Sequence, residues 1–125
     1  MRKMDVLIVE DERLISLLLS SMLKELGHRV IACVPSGEAA LELLKTADPD
    51  FILFDIRLEG KLDGIETASR VNSEHPIPFA FASAYADAET RARAESTHPL
   101  EFLRKPVRKE EIRALLARVK DGRTA

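Results

Sequence analysis

The chain has 125 residues and a formal net charge of −2, and 46% of its residues are hydrophobic and 32% are charged. This size and balance predict one soluble globular domain and exclude a collagen-like or wholly disordered chain. The near-neutral charge gives no electrostatic reason to expect binding to nucleic acid or to a membrane, and the apolar stretches are too short to span a bilayer.

Five short apolar runs alternate along the chain with five helix-like stretches. Apolar strands without clean alternation suit a parallel sheet that is covered on both faces, so the pattern predicts a doubly wound (βα)₅ domain of the α/β class. We expect one domain over 1–125, with a core of about 5–120 and a polar tail over 121–125. The predicted strands are 6–9, 29–34, 51–54, 77–82 and 100–103, and the predicted helices are about 13–26, 37–47, 64–73, 87–96 and 109–120.

The first and fourth predicted helices differ strongly in apolar content. Leu14, Leu17 and Leu18 share one face of the first helix, and further apolar residues widen that face. We expect this helix to pack mainly in the core and to leave some apolar surface for a partner helix. The fourth helix contains mostly Ala, Glu and Arg, so only light packing is expected.

The single cysteine, Cys33, excludes an intramolecular disulfide and favours a cytoplasmic location. Cys33 is expected to be a buried strand residue. His28 is expected to be solvated or to cap an element.

Polar side chains follow four of the five predicted strands. Glu10 and Asp11 follow the first strand, Asp55 the third, Ser83 the fourth and Lys105 the fifth. The carboxyl ends of parallel strands lie along one edge of an open α/β sheet, where such proteins bind ligands. We therefore expect these side chains to meet at one site, although each of them alone could equally be a helix cap or a solvated loop residue.

The chemistry of this set indicates phosphoryl transfer to an aspartate. Three carboxylates repel one another unless a cation lies between them, and hard oxygen ligands without His or Cys suit Mg²⁺ better than zinc. A lysine and a serine beside such an ion can hold the oxygens of a phosphoryl group. The sequence has no glycine-rich phosphate loop, which disfavours a nucleotide. An aspartate can itself form an acyl phosphate, and Asp55 is the natural nucleophile.

The chain resembles response-regulator receiver domains in four segments, which are VLIVEDE (6–12), FILFDIRLEGKLDGIE (51–66), FAFASAYAD (79–87) and EFLRKPV (101–107). The resemblance extends from Val6 to about Val119. It implies a flavodoxin-like fold with strand order 2-1-3-4-5. It also implies a phosphorylation-dependent switch rather than an enzyme, which receives a phosphoryl group from a histidine kinase or a phosphotransfer protein. Such a switch signals to a downstream protein through the face formed by its fourth helix, fifth strand and fifth helix.

The resemblance also implies a magnesium site and a phosphoacceptor. Asp55 matches the phosphoacceptor. Asp11, Asp55 and the backbone carbonyl of Arg57 match the direct ligands of Mg²⁺, and Glu10 matches the second member of the acidic pair. Glu10 stands where an aspartate is commoner in the family.

Further residues match the switch machinery of the family. Ser83 matches the hydroxyl that hydrogen-bonds a phosphoryl oxygen, and Lys105 matches the amine that neutralises another. Pro106 follows at the bond that is usually cis. Phe102 matches the switch aromatic, with an ordinary core aromatic as the alternative.

Two residues are expected to shield the acyl phosphate from water and so to prolong its lifetime. Tyr85 and Arg57 occupy the positions that line its approach in receivers. The segment FAFASAYAD is also partly similar to the FAT GUY group of single-domain receivers, from which it differs by Ser83 and Ala84 in place of Thr and Gly.

Several alternatives stay open at this point. The chain could be a receiver excised from a longer hybrid kinase or regulator, and it could act as a monomer or as a phosphorylation-dependent homodimer. A phosphatase with Asp55 as nucleophile is much less favoured, because Arg57 stands where its general acid would be and an arginine cannot shuttle a proton. A flavin-binding module is disfavoured because Glu10, Asp11 and Glu12 would repel its phosphate.

Overall fold

A computed structural model describes residues 2–84 and 87–119 of the chain. The five strands are all parallel and form one sheet in the order β2-β1-β3-β4-β5, which confirms the flavodoxin-like α/β fold. No helix in the described ranges is long and apolar enough to cross a membrane. In chain order the elements are β1 (Asp5–Val9), α1 (Arg13–Glu25), β2 (Arg29–Val34), α2 (Gly37–Leu43), β3 (Phe51–Phe54), α3 (Gly64–Glu74), β4 (Phe79–Ser83), α4 (Ala88–Glu95), β5 (Phe102–Arg104) and α5 (Lys109–Ala117).

The boundaries differ most from the predicted ones at the end of α2, and β4 and β5 begin later than predicted, at Phe79 and Phe102. The backbone N–H groups of Lys45 and Thr46 bond to carbonyls three residues earlier, so the α-helical part of α2 ends at Leu43 and a tight turn follows. Ser36 caps α2, because its hydroxyl accepts a hydrogen bond from the backbone N–H of Ala39 at 3.1 Å. The predicted tail over 121–125 lies outside the described residues.

The core consists of two apolar layers, one on each face of the sheet. Successive residues of β1 alternate between them: Val6 and Ile8 face the layer under α1 and α5, whereas Leu7 and Val9 face the layer under the other helices. The second layer contains a run of phenylalanine rings whose centroids lie 5.6–6.3 Å apart. Because both faces are covered, polar chemistry is confined to the ends of the strands.

The face of α1 that packs on the sheet is not the face that carries Leu14, Leu17 and Leu18. Leu14, Leu17 and Leu18 are 72%, 55% and 54% exposed, whereas Ser16 and Ser20 are buried together with Leu19 and Leu23. The expectation of a mainly core helix is therefore wrong for this face. Ser16 and Ser20 thus lie on the buried face of the helix, and the three leucines lie on the face exposed to solvent.

Two further expectations are wrong. Cys33 is exposed, because β2 is an edge strand whose residues are only partly covered. His28 is buried, and its Nδ1 accepts a hydrogen bond from the backbone N–H of Met4 at 3.1 Å. Burial lowers the pKa of His28, since the charged imidazolium would lose its hydration.

α3 begins in close contact with the backbone that carries Asp55. Asp63 and Glu66 form a capping box, in which each side chain accepts a hydrogen bond from the backbone N–H of the other. Gly64 directly follows Asp63, and its backbone N–H donates a 2.7 Å hydrogen bond to the carbonyl oxygen of Ile56. A Cβ atom at Gly64 would lie 1.9 Å from the carbonyl oxygen of Asp55, so only glycine permits this approach.

We predict that Gly64→Ala destabilises the domain. The added methyl group meets backbone atoms that cannot rotate away, and the free energy of unfolding should fall by roughly 3 kcal/mol, at the upper end of the usual range for overpacking. Urea unfolding followed by circular dichroism measures this change. Gly27→Ala is the comparison variant. Its added Cβ has no atom within 4 Å, so its loss of stability reflects only the positive φ of 93° and should be smaller than the loss in Gly64→Ala. An unfolding free energy of Gly64→Ala equal to that of the wild type would contradict the prediction.

Candidate functional site

The carboxyl ends of four strands bring the predicted polar residues together at one edge of the sheet. Carboxylate oxygens of Glu10, Asp11 and Asp55 all lie within 4.8 Å of one another. The Nζ atom of Lys105 lies 2.5 Å from Glu10 Oε1 and 3.1 Å from Asp55 Oδ2. Ser83 ends β4 beside them and is 1% exposed.

Asp55 is held firmly by the strand that it follows. Its backbone N–H donates to Val9 at 2.8 Å, which continues the pairing of β3 with β1 for one residue. Its Oδ1 accepts a 2.7 Å hydrogen bond from the backbone N–H of Ile56, and its Oδ2 faces Lys105. The side chain is therefore fixed with one oxygen on the backbone and the other toward the ammonium group.

Glu10 and Lys105 are a partly buried ion pair whose two members influence each other. Burial raises the pKa of Glu10, because the carboxylate loses hydration that the hydrogen bond from Lys105 only partly replaces. Burial alone would lower the pKa of Lys105, but its hydrogen bond to Glu10 and the negative charge of Asp55 outweigh this effect and raise it. The side chain of Lys105 is therefore protonated and positively charged at neutral pH.

The donor set fits a hard divalent cation. Three carboxylates face a single ammonium group, so negative charge is in excess at this edge. All of the donors are oxygen atoms, and Mg²⁺ prefers oxygen ligands. Asp11 is exposed while Glu10 and Asp55 are buried, so the cluster opens to solvent on the side of Asp11.

A cavity of about 380 Å³ opens between α1 and the segment that follows β5. Its polar lining includes Asp55, Ser83 and Lys105. Its wall is apolar, with Ile15, Leu18, Leu19, Met22 and Val107 among the lining residues. The predicted site residues Arg57, Ala84 and Pro106 line the same cavity, and the Lys105–Pro106 peptide bond is cis as expected.

Phe102 lies apart from the cavity, in the core. It is 5% exposed, its ring centroid is 6.3 Å from that of Phe81, and the guanidinium carbon of Arg91 lies 4.7 Å from the ring centroid. In this structure it is thus a buried aromatic covered by a cation of α4. Tyr85 lies outside the described residues, and the shielding of an acyl phosphate by Tyr85 and Arg57 stays a prediction.

Sequence reasoning missed three features of this region. It did not pair Glu10 with Lys105, which are far apart in the chain, and it did not foresee the apolar wall of the cavity. It also missed the polar contacts of α4, where Arg93 forms a 3.0 Å ion pair with Asp63. The apolar wall had a readable signal, because Ile15, Leu19 and Met22 follow one another at helical spacing.

The chain is similar to proteins of one family. A family model of the response regulator receiver domain matches residues 6–117. The transcriptional regulatory protein PdtaR of Mycobacterium tuberculosis is 33% identical over 101 residues, which cover 81% of this chain and 49% of that protein. The chain thus spans about half the length of PdtaR, and it spans a smaller share, 28%, of another relative that it matches.

Solved receiver structures superimpose closely on this fold. The signal receiver domain of a modulated diguanylate cyclase from Desulfovibrio desulfuricans has a TM-score of 0.89 and 36% identity, with 94% of each chain covered. The receiver domain of the sensor histidine kinase PA1611 from Pseudomonas aeruginosa has a TM-score of 0.84 and 26% identity, with 94% of this chain and 98% of that chain covered. A magnesium ion is coordinated in its active site cleft.

Proposed function

Because the chain belongs to the response regulator receiver domain family, we propose that it accepts a phosphoryl group on Asp55 and passes the signal on through altered protein contacts. The observation that carries the proposal is that Asp55 lines the cavity, with Lys105 at 3.1 Å and two further carboxylates beside it. Acceptance of a phosphoryl group is general to receiver domains of two-component systems.

The chemistry proposed for the site is a direct transfer. An oxygen of the Asp55 carboxylate attacks phosphorus, a new P–O bond forms, and the P–N bond to the histidine of the donor breaks with the electron pair leaving on the imidazole. Lys105 pairs with a phosphoryl oxygen, and the hydroxyl of Ser83 donates a hydrogen bond to another. Mg²⁺, held by Asp11, Asp55 and the backbone carbonyl of Arg57, would neutralise the charge that accumulates there.

We predict that Asp55 is the phosphorylated residue. Incubation with acetyl phosphate and Mg²⁺ should add one phosphoryl group to the wild type, as measured by intact-protein mass spectrometry, and Asp55→Asn should gain none. Chelation of Mg²⁺ should slow the reaction by at least tenfold, because the carboxylates would then repel the entering phosphoryl group. Asp48→Asn, at an exposed position before β3, is the control and should react as the wild type does. Labelling of Asp55→Asn at the wild-type rate would refute the assignment.

The phosphoryl donor is proposed to dock on the exposed leucines of α1, which we call the α1 leucine face (Leu14, Leu17 and Leu18). These three are the large apolar side chains most exposed among the described residues. Leu18 also lines the cavity that leads to Asp55, so the apolar surface is continuous with the site. A histidine kinase or phosphotransfer protein that presents its phosphohistidine on an amphipathic helix fits this surface.

We predict that polar substitutions on the α1 leucine face slow transfer from a protein donor but not from a small molecule. The double variant Leu14→Ser/Leu17→Ser should lower the rate from a kinase selected on the wild type by at least tenfold, because two apolar contacts are lost. Its labelling by acetyl phosphate should stay unchanged. Ala92→Ser, exposed on α4, is the control. Equal rates of phosphoryl transfer from the kinase to the double variant and to the wild type would contradict docking of the donor on this face.

The output is proposed to be the face formed by α4, β5 and α5. Ala94 is the buried residue of α4, and the other anchors of this helix are polar: Arg91 lies over Phe102, and Arg93 pairs with Asp63. Exposed ion pairs and cation–π contacts each stabilise by only about 1 kcal/mol or less. A helix held by such weak contacts rearranges easily. The proposed trigger is a hydrogen bond from the hydroxyl of Ser83, at the end of the neighbouring β4, to a phosphoryl oxygen.

We predict that phosphoryl mimicry changes the order of α4. Amide hydrogen exchange over residues 88–95, measured by mass spectrometry, should differ between the free protein and the protein with beryllofluoride and Mg²⁺. Exchange over α3, which buries five of its residues, serves as the internal control. The same comparison in Asp55→Asn should show no difference. Identical exchange of α4 in both states of the wild type would argue against this output face.

A further inference from the structure

The loop between β3 and α3 carries the backbone carbonyl of Arg57, which the proposed function assigns to Mg²⁺. We propose that Glu38, in the first turn of α2, is a positioning residue that holds this loop in place and so strengthens Mg²⁺ binding without touching the ion. The inference deepens the proposed function and rests on it. The carboxylates that cluster at the edge of the sheet are those of Glu10, Asp11 and Asp55, so Glu38 acts from outside that cluster.

The carbonyl of Arg57 lies in an irregular stretch of backbone. Residues 56–63 separate β3 from α3, and a single bridge at Glu59 is their one contribution to regular structure. Mg²⁺ demands nearly ideal octahedral geometry. A carbonyl in an irregular loop meets that demand only if the loop keeps one conformation. The contacts that fix the loop therefore also affect the binding of the metal.

The inner part of the loop is fixed by the body of the domain. The backbone N–H of Gly64 donates a 2.7 Å hydrogen bond to the carbonyl of Ile56, and the side chain of Leu58 packs against the second apolar layer. The outer part is different, because Glu59, Gly60 and Lys61 are all exposed. It cannot be held by burial and depends on polar contacts to a neighbouring element.

Glu38 provides such a contact to the backbone of the outer part. Its Oε2 accepts a 2.9 Å hydrogen bond from the backbone N–H of Lys61. Its Oε1 lies so close to Gly60 that an added Cβ atom would be 2.6 Å from it, and Gly60 has a positive φ of 89°. The hydrogen bond from Lys61 lowers the pKa of Glu38, because it stabilises the charged carboxylate.

The start of α2 is a suitable anchor for the loop. Its N-cap residue, Ser36, forms a parallel bridge with Glu59, and Ala40 in the next turn is buried in the second apolar layer. Glu38 lies between these two residues, where a carboxylate also interacts favourably with the helix dipole. The charge-assisted hydrogen bond from Lys61 thus joins the outer loop to a helix that is packed on the sheet.

The experiment compares three variants of α2. Glu38→Ala removes the acceptor of the Lys61 N–H, whereas Glu38→Gln loses the charge but keeps a side-chain oxygen that accepts hydrogen bonds. Glu42→Ala is the control for charge, because it removes a carboxylate of the same helix that pairs with Lys45. Both glutamates are exposed, so the variants should keep the fold.

The first readout is hydrogen exchange of the Lys61 amide, measured by NMR without Mg²⁺. We expect faster exchange in Glu38→Ala than in the wild type, and exchange close to that of the wild type in the other two variants. The second readout is Mg²⁺ affinity, measured by titration of the backbone amide signals. Glu38→Ala should bind Mg²⁺ roughly fivefold more weakly, as expected when one hydrogen bond is lost, and Glu38→Gln should recover most of this loss.

Three results would overturn the inference. The first is equal Mg²⁺ affinity in Glu38→Ala and the wild type, and the second is a wild type that does not bind Mg²⁺. The third is an equal loss of affinity in Glu38→Ala and in either Glu38→Gln or Glu42→Ala, because charge rather than loop position would then explain the effect.

Neither readout requires phosphorylation. If acetyl phosphate failed to label Asp55 while Mg²⁺ affinity fell as expected in Glu38→Ala, the proposed function would fail and the positioning role of Glu38 would stand. If labelling succeeded and the affinity did not change, the positioning role alone would fail.

Discussion

The structure depends on holding three carboxylates and one ammonium group together at the carboxyl edge of a parallel sheet. Like charges at this distance repel, and burial of Glu10 and Asp55 removes the water that would screen them. Lys105 offsets part of that repulsion from the far side of the sheet. Strands β1, β3 and β5 must therefore keep their relative register, because a shift of one residue would turn these side chains into the apolar layers.

The two apolar layers give the charged edge a rigid base. β1, β3 and β4 are almost completely buried, and their side chains alternate between the layers under the helices. Gly64 then lets α3 begin against the carbonyl of Asp55, and so the loop after β3 is fixed at both ends. α4 lacks such support. The domain thus combines a stiff charged edge with one lightly held helix, which is the division of rigidity that the proposed switch requires.

Much of this arrangement could be predicted from the sequence. The alternation of apolar runs and helical stretches predicts the doubly wound sheet, and the position of Asp55 directly after β3 predicts its place at the edge. The rotation of α1 could not be predicted, because Ser16 and Ser20 look polar in sequence and yet pack against the sheet. Nor could the pairing of Glu10 with Lys105, since it depends on two strands at opposite sides of β3 and β4. The local sequence pattern determines the helices and strands, whereas contacts between residues that are far apart in the chain determine the geometry of the site.

The exposure of Leu14, Leu17 and Leu18 has a consequence for how the domain responds to its surroundings. Association through apolar side chains is driven largely by the release of water near room temperature, has a negative heat-capacity change and depends little on ionic strength. The charged edge behaves in the opposite way, since salt and divalent ions act on it directly. If the donor docks on the α1 leucine face as proposed, temperature acts mainly on that docking, and ionic composition acts mainly on the charged edge around Asp55. The two variables then act on separate surfaces of the same domain.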